Sequence, residues 1–237
     1  MSEHSSVVRN VCTLTLMLLG SACTEPTIMR VYNGEPQEGR MIEYEAYAAY
    51  ARGIDAERDG HNRVAARWFE EATQYDPKSV EIWTRLGANY CLVAGPAKAR
   101  EAFAAAERID ARYEPLFRER AVCEKRHSNG EAAAKFAARA VELDPERDEA
   151  IVLYATCLES QQKVDDAERL LDSHLLRHPN SVPAWEQRFQ LAQRRRDASA
   201  MKRSAEALLR LAPRMTNTIL MGGEHSPEEI ARAVTVM

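Results

Sequence analysis

The chain has 237 residues, of which 45% are hydrophobic, with Lys+Arg 32 against Asp+Glu 36 and a formal net charge of -4. That length and apolar content suffice for a substantial core. The near balance of charge supplies no general field toward DNA, RNA or an anionic membrane surface, so nucleic-acid binding drops out of the leading functions.

Residues 1–22 read as an export signal. Val11 to Ala22 is an apolar run preceded by Arg9. It is shorter than the roughly 20 residues a membrane-spanning helix needs and suits a signal core of about 7 to 15 residues ending in small side chains. Gly20-Ser21-Ala22-Cys23 supplies that ending. Small residues directly before a cysteine resemble the lipobox of bacterial lipoproteins. The resemblance implies cleavage before Cys23, lipid on Cys23 and attachment to a membrane. One position departs from the pattern: Gly20 stands where the family has Leu, Val or Ile. Plain secretion after a cut near Ala22, and an N-terminus unrelated to export, are the alternatives. Thr24, in place of an aspartate, favours the periplasmic face of the outer membrane by resemblance to enterobacterial sorting; a cytoplasmic location is the alternative.

Residues 23–42 carry Pro and Gly without helical periodicity and read as a flexible tether. Gly34 to Arg40 has the glycine spacing of a phosphate loop but lacks its Lys-Ser/Thr pair and preceding strand, so the tether reading is preferred.

From residue 43 the chain repeats. Ala65, Ala99, Ala133 and Ala167 share one register with Pro77, Pro145, Pro179 and Pro213, a step of 34 residues (99 minus 65). A fixed period of this length marks stacked units, each too small to bury its own apolar face. Within a unit, apolar residues recur at helical spacing, a Gly or polar cluster breaks the pattern halfway, and proline ends it, so each unit is a helical hairpin. Trp83, Leu86, Gly87 and Tyr90, followed by Ala99, Phe103 and Ala106, resemble the tetratricopeptide repeat (TPR) family, with Ala111 where the terminal proline is expected. The same register runs through Gly53, Phe69 and Ala72, through Phe117, Ala121 and Ala140, and through Ala155. It blurs in the fifth unit, which keeps Trp185 and Pro213 but has Phe189, Met201 and Ala205 where glycine, alanine and an aromatic are expected. The resemblance implies an all-α, right-handed TPR solenoid of about five hairpins over residues 43–215 (46–79, 80–113, 114–147, 148–181 and 182–215). Residues 216–237 then form a loop and a capping helix, begun by the capping box Ser226-Pro227-Glu228-Glu229.

Little chemistry is found along this frame. Cys91, Cys123 and Cys157 read as small packing residues. Cys123 and Cys157 are one unit apart, on helices whose axes lie about 8–10 Å from each other, too far for a disulfide. His174 and His178 have a metal-compatible spacing, but His174 holds the place of Ala72, Ala106 and Ala140 and reads as a core residue. Arg194, Arg195 and Arg196 read as a solvated turn, and the Ser199-x-x-Lys202 match as chance. No metal or other cofactor and no catalytic set is expected, which makes the chain a non-enzyme.

The resemblance also places a partner. In the family, the second, fifth, ninth, twelfth and thirteenth places of each first helix line a concave groove. Those places give Tyr47, Tyr50 and Ile54; Thr84, Ala88, Cys91 and Leu92; Arg118, Val122, Lys125 and Arg126; and Val152, Thr156 and Glu159. An aromatic and apolar end thus runs into a cationic middle and a more acidic end, which suits a protein or peptide that buries an apolar anchor and presents a carboxylate to Arg118, Lys125 and Arg126. The carboxylate clamp of co-chaperones is not matched, because Tyr50 and Ile54 replace its Lys and Asn.

Overall fold

The computed structural model describes residues 27–32 and 35–211. The signal, Cys23, Pro213 and the expected capping helix lie outside the described residues. The chain divides into two units, one ending at Ile42 and one beginning at Glu43.

The first unit departs from the tether expected for residues 23–42. Strand β1 (Thr27–Tyr32) pairs antiparallel with β2 (Glu35–Arg40), in a register that sets Thr27 opposite Arg40 and Tyr32 opposite Glu35. Thr27, Ile28 and Val31 are β-branched, and Asn33-Gly34 is the sequence pair that favours a two-residue hairpin connection. Pro36 is tolerated opposite Val31 because both strands of a two-stranded ribbon are edges. Residues 35–40 are therefore a strand, and the glycine spacing of a phosphate loop is incidental.

Among the described residues, the second unit holds five helical hairpins. These are α1 (Tyr44–Arg58) with α2 (Asn62–Tyr75), α3 (Val80–Val93) with α4 (Pro96–Ile109), and α5 (Glu114–Arg126) with α6 (Gly130–Leu143), then α7 (Asp148–Ser160) with α8 (Val164–Arg177), and α9 (Val182–Arg195) with α10 (Ala198–Leu211). Each hairpin turns through one residue of positive φ: Gly60, Gly95, Ser128, Gln162 and Arg196 in succession. Only the first two are glycine, so the last three turns are held in the left-handed region by their surroundings. The first helices of successive hairpins pack together, α3 on α5, α5 on α7 and α7 on α9, and form one continuous layer.

Connections between hairpins reuse one device. The Asp76, Asp110 and Asp144 carboxylates each accept the backbone N–H two residues on, at 3.2, 2.7 and 3.2 Å. The same Asx turn forms where proline follows the aspartate, at Pro77 and Pro145, and where Ala111 stands in its place. The indole N–H groups of Trp83 and Trp185 donate to the carbonyls of Pro77 and Pro179, both at 2.9 Å, and so fasten each helix to the turn before it.

Packing inside each hairpin follows a volume rule. A β-carbon on Gly53 would meet the Phe69 ring at 2.6 Å, and one on Gly87 would meet Phe103 at 2.6 Å. The corresponding places hold Ala121 and Ala137, then Ala155 and Leu171, and finally Phe189 and Ala205, all buried. The aromatic has moved from the second helix to the first in the last unit, where Phe189 packs with Ala205 and Leu208. The blurred fifth repeat is thus the same joint with large and small exchanged.

The cysteines do not all serve as packing residues. Cys91 on α3 and Cys123 on α5 form a disulfide with a Cα separation of 5.8 Å, while Cys157 is a buried free thiol. Cys91 holds the twelfth place of its unit and Cys123 the tenth. Comparing equivalent places, as for Cys123 and Cys157, could not reveal a pair offset by two.

Candidate functional site

The layer of first helices carries the expected binding places, and the structure sorts them. Tyr47, Leu92 and Val122 are exposed at 62, 45 and 41%. Lys125 and Arg126 are exposed as well, and Ile54, Ala88, Val152 and Thr156 are half-buried. Thr84 and Cys91 are corrections. Thr84 is buried, with its hydroxyl donating to the Val80 carbonyl at 2.8 Å, and Cys91 is buried in the disulfide. Neither presents a side chain to a partner.

The expected gradient of charge is also changed, because several of its members already have partners. The Tyr50 hydroxyl donates to the Glu81 carboxylate across α1 and α3. Burial, reinforced by that carboxylate, pushes its pKa well above the ordinary phenol value. Arg85 lies 3.4 Å from Glu57, binding the same two helices together. Glu57 and Glu81 occupy twelfth and second places of their units, so the rule that named Tyr47 and Thr84 also reaches them.

Further along, Arg118 Nε is 3.3 Å from the buried Glu114 carboxylate and its guanidinium is 3.5 Å from Glu119. Burial raises both Glu114 and Glu119 above the usual carboxylate range, with Arg118 opposing the rise in each. Arg118 is thus a half-buried structural cation and not a free carboxylate receptor. At the far end, Glu159 on α7 is taken by Arg194 of α9. Arg195 reaches Asp165 and Glu168, both at 2.8 Å. Two of the three arginines read as a solvated turn are therefore neutralised across the helix layers. What remains is compact: among the described residues Lys125 and Arg126 are exposed cations without an ion pair, on the same helix as the exposed Val122.

His174 is a core residue, fully buried, with Nε2 2.7 Å from Asp148 Oδ1 and its ring stacked on His178. Ser199 donates to Asp197, whose carboxylate also accepts the Ala200 N–H, so the Ser-x-x-Lys match is part of a helix cap.

One cluster went unread in the sequence. Cys91, Cys123 and His127 place one ligand atom each within 4.8 Å of one another, and a nitrogen of the exposed His127 ring lies 3.2 Å from the Cys91 carbonyl. Cys123 and His127 are four residues apart on α5, but the third member comes from the previous unit.

Stacked helical hairpins whose first helices share one layer define an α-solenoid made for presenting a surface. Residues 127–187 match the tetratricopeptide repeat family model, and that segment carries the repeat. Its fold is similar to that of pilF of Pseudomonas aeruginosa (TM-score 0.62, 15% identity, 80% of this chain and 88% of that one). It is equally similar to PilW, a widely conserved type IV pilus biogenesis factor (TM-score 0.62, 16% identity, 80% and 92%). A further likeness is to YrrB, a TPR protein with an unusual peptide-binding site (TM-score 0.53, 16% identity, 76% and 92%). No curated protein sequence matches the chain.

Proposed function

We propose that this chain is a non-catalytic interaction scaffold of a bacterial envelope, tied to the membrane through lipid on Cys23, and that its first-helix layer holds a segment of a partner protein. The observation that carries the binding mode is the pair of unmatched exposed cations, Lys125 and Arg126, beside exposed Val122 and within a layer that also exposes Leu92 and Tyr47. A peptide with an apolar anchor and a carboxylate fits that surface. The carboxylate receptor is Lys125 and Arg126, not Arg118, which Glu114 and Glu119 already engage.

Two observations support the envelope over the cytoplasm. The Cys91–Cys123 disulfide is the kind of bond that persists in an oxidising compartment. Gly20-Ser21-Ala22-Cys23 supports export with lipidation, and the likeness to a pilus biogenesis factor is in keeping with an assembly role.

Crosslinked capture from the native envelope tests the groove. Lys125→Glu with Arg126→Glu should reduce partner recovery about tenfold without changing the far-UV circular dichroism. Unchanged recovery would move the site to another face. For the anchor, Cys23→Ala should leave an unprocessed precursor and abolish lipid labelling. A wild-type chain that retains Met1 and stays in the soluble fraction would instead favour a cytoplasmic adaptor.

A further inference from the structure

We propose that Cys91, Cys123 and His127 form a metal site for a thiophilic d10 ion, whose occupation alternates with the Cys91–Cys123 disulfide. The three donors converge from two hairpins: Cys91 from the last turn of α3, Cys123 from the last turn of α5, and His127 from the residue that caps α5. Their ligand atoms lie within 4.8 Å of one another. That span belongs to the disulfide-bonded state; two zinc–sulfur bonds of about 2.3 Å at a tetrahedral angle need sulfurs about 3.7 Å apart, a separation open to them once reduction breaks the S–S bond. Cys123 and His127 share one helix face at the spacing that lets two ligands meet one ion. The site is reachable, because both cysteines are buried while His127 is exposed.

The repeat makes this cluster distinctive. The places of Cys91, Cys123 and His127 are filled in the first unit by Glu57, Asp55 and Asp59 and in the fifth by Gln193, Leu191 and Arg195. In the fourth unit Cys157 keeps the place of Cys123, but Glu159 and Gln161 hold the places of Cys91 and His127, so the meeting of all three donors at one seam is a local addition. Two thiolates and an imidazole are a soft set, suited to Zn2+ or Cu+ over oxygen-seeking cations.

The chemistry balances with a dithiol as the reductant. The dithiol gives two electrons and two protons to the disulfide, leaving two thiols and becoming a disulfide itself. Metal binding then displaces the two thiol protons, and His127 binds as the neutral imidazole. In the reverse direction an exogenous disulfide is the oxidant: by thiol–disulfide exchange it takes the two electrons and leaves as a dithiol with two protons from solvent, Cys91 and Cys123 are joined again, and the ion, having lost two of its three donors, is released.

Co2+ serves as the probe, added to the full chain carrying Cys12→Ser and Cys23→Ser after reduction and removal of the reductant. One equivalent should bind with sulfur-to-cobalt charge-transfer absorption. The oxidised chain should show none of that absorption. His127→Ala, at an exposed position that leaves the fold intact, should bind at least tenfold more weakly, and Cys91→Ser should lose most of the charge-transfer intensity. Absence of charge-transfer absorption in the reduced chain, equal binding by the oxidised chain, or undiminished affinity in His127→Ala would each overturn the proposal.

Discussion

Gly87 leaves the space that the Phe103 ring fills, so one methyl group added there has nowhere to go. A β-carbon would stand 2.6 Å from two ring atoms of Phe103, inside van der Waals contact. Gly87→Ala should therefore cost about 1–3 kcal/mol, read as a lower urea midpoint at unchanged slope. Ala121→Gly, at a place where the facing residue is already Ala137, should cost only the helix-propensity difference of about 1 kcal/mol and the small loss of packing. If the two variants were equally destabilised, the exchange of large and small across the hairpin would not be what shapes the joint. The same rule explains why the fifth unit escapes the sequence pattern. Phe189 and Ala205 conserve the volume and reverse its owners, which a residue-by-residue template scores as two failures.

Buried carboxylates act in opposite directions on stability with pH. The Glu124 carboxylate accepts two bonds from Arg100, at 2.7 and 2.9 Å, and one from Asn129 at 2.8 Å, and the Arg100 guanidinium holds its pKa below the usual range. A depressed folded pKa gives stability that is fully present above the unfolded value of about 4.3 and is lost as pH falls through the folded value. Glu114 and Glu119 are raised by burial, so the folded state takes up their protons first. They make the fold less stable at neutral pH and relieve that cost as pH falls toward the unfolded value. Stability should accordingly rise from pH 7 into the weakly acid range and then fall below about pH 4. Glu114→Gln should flatten the first limb and Glu124→Gln the second, as followed by chemical denaturation across that range.

At the scale of helices, the disulfide is the strongest tie between neighbouring units. It closes a loop across a sequence separation of 32 residues, for which the chain-entropy model gives about 3–4 kcal/mol. Reduction should lower the midpoint of thermal or urea unfolding accordingly. Cys157, buried against Ala121, Ala133 and Ala137, should react with thiol reagents only after unfolding. Equal midpoints with and without reductant would show that the bond does not constrain the unfolded chain.

The elements also show which features the sequence disclosed and which it withheld. The hairpins follow from a period of apolar residues and turn formers, because each helix buries a stripe against neighbours of the same kind. The ribbon escapes a search for helical period, although Asn33-Gly34 directly after the β-branched segment Thr27–Tyr32 is a hairpin signal in its own right. The disulfide was missed for a different reason: it depends on how far one first helix is displaced along the next, and that offset is set by packing, not by spacing in the chain. Arg118 lies on the first helix of its unit, yet its availability depends on Glu114 and Glu119, one turn before it and one residue after.

Across the whole array, the seams between units are fastened unequally. The first and second units are joined by Tyr50 to Glu81, Arg85 to Glu57 and Tyr90 to Glu70. The second and third share the disulfide, the Arg100–Glu124 pair and the Arg120–Glu107 pair, with Arg120 also lying 4.0 Å over the Phe136 ring. The fourth and fifth are joined by Arg188 to Asp172 and Glu168, by Arg195 to Asp165 and Glu168, and by Arg194 to Glu159. Between them, among the described residues, no ion pair runs from α5 or α6 to α7 or α8. That seam rests on apolar contacts of Phe136, Leu153 and Tyr154 and on the Gln161 amide donating to the Gly130 carbonyl at 3.0 Å. Glu146, in the connection, pairs with Arg177 and His178 of the fourth unit, so the connection moves with the C-terminal side. In a repeat array stability is a sum of unit and seam contributions, and partial opening occurs where a seam is weakest. Native-state hydrogen exchange in low denaturant should therefore resolve two blocks, α1 to α6 and α7 to α10, that open with different free energies and meet at Asp144–Arg147. Limited proteolysis under the same conditions should cut first in that connection. A single exchange block, or a boundary between α4 and α5 in the oxidised protein, would mean that the apolar seam is as strong as the charged and stapled ones.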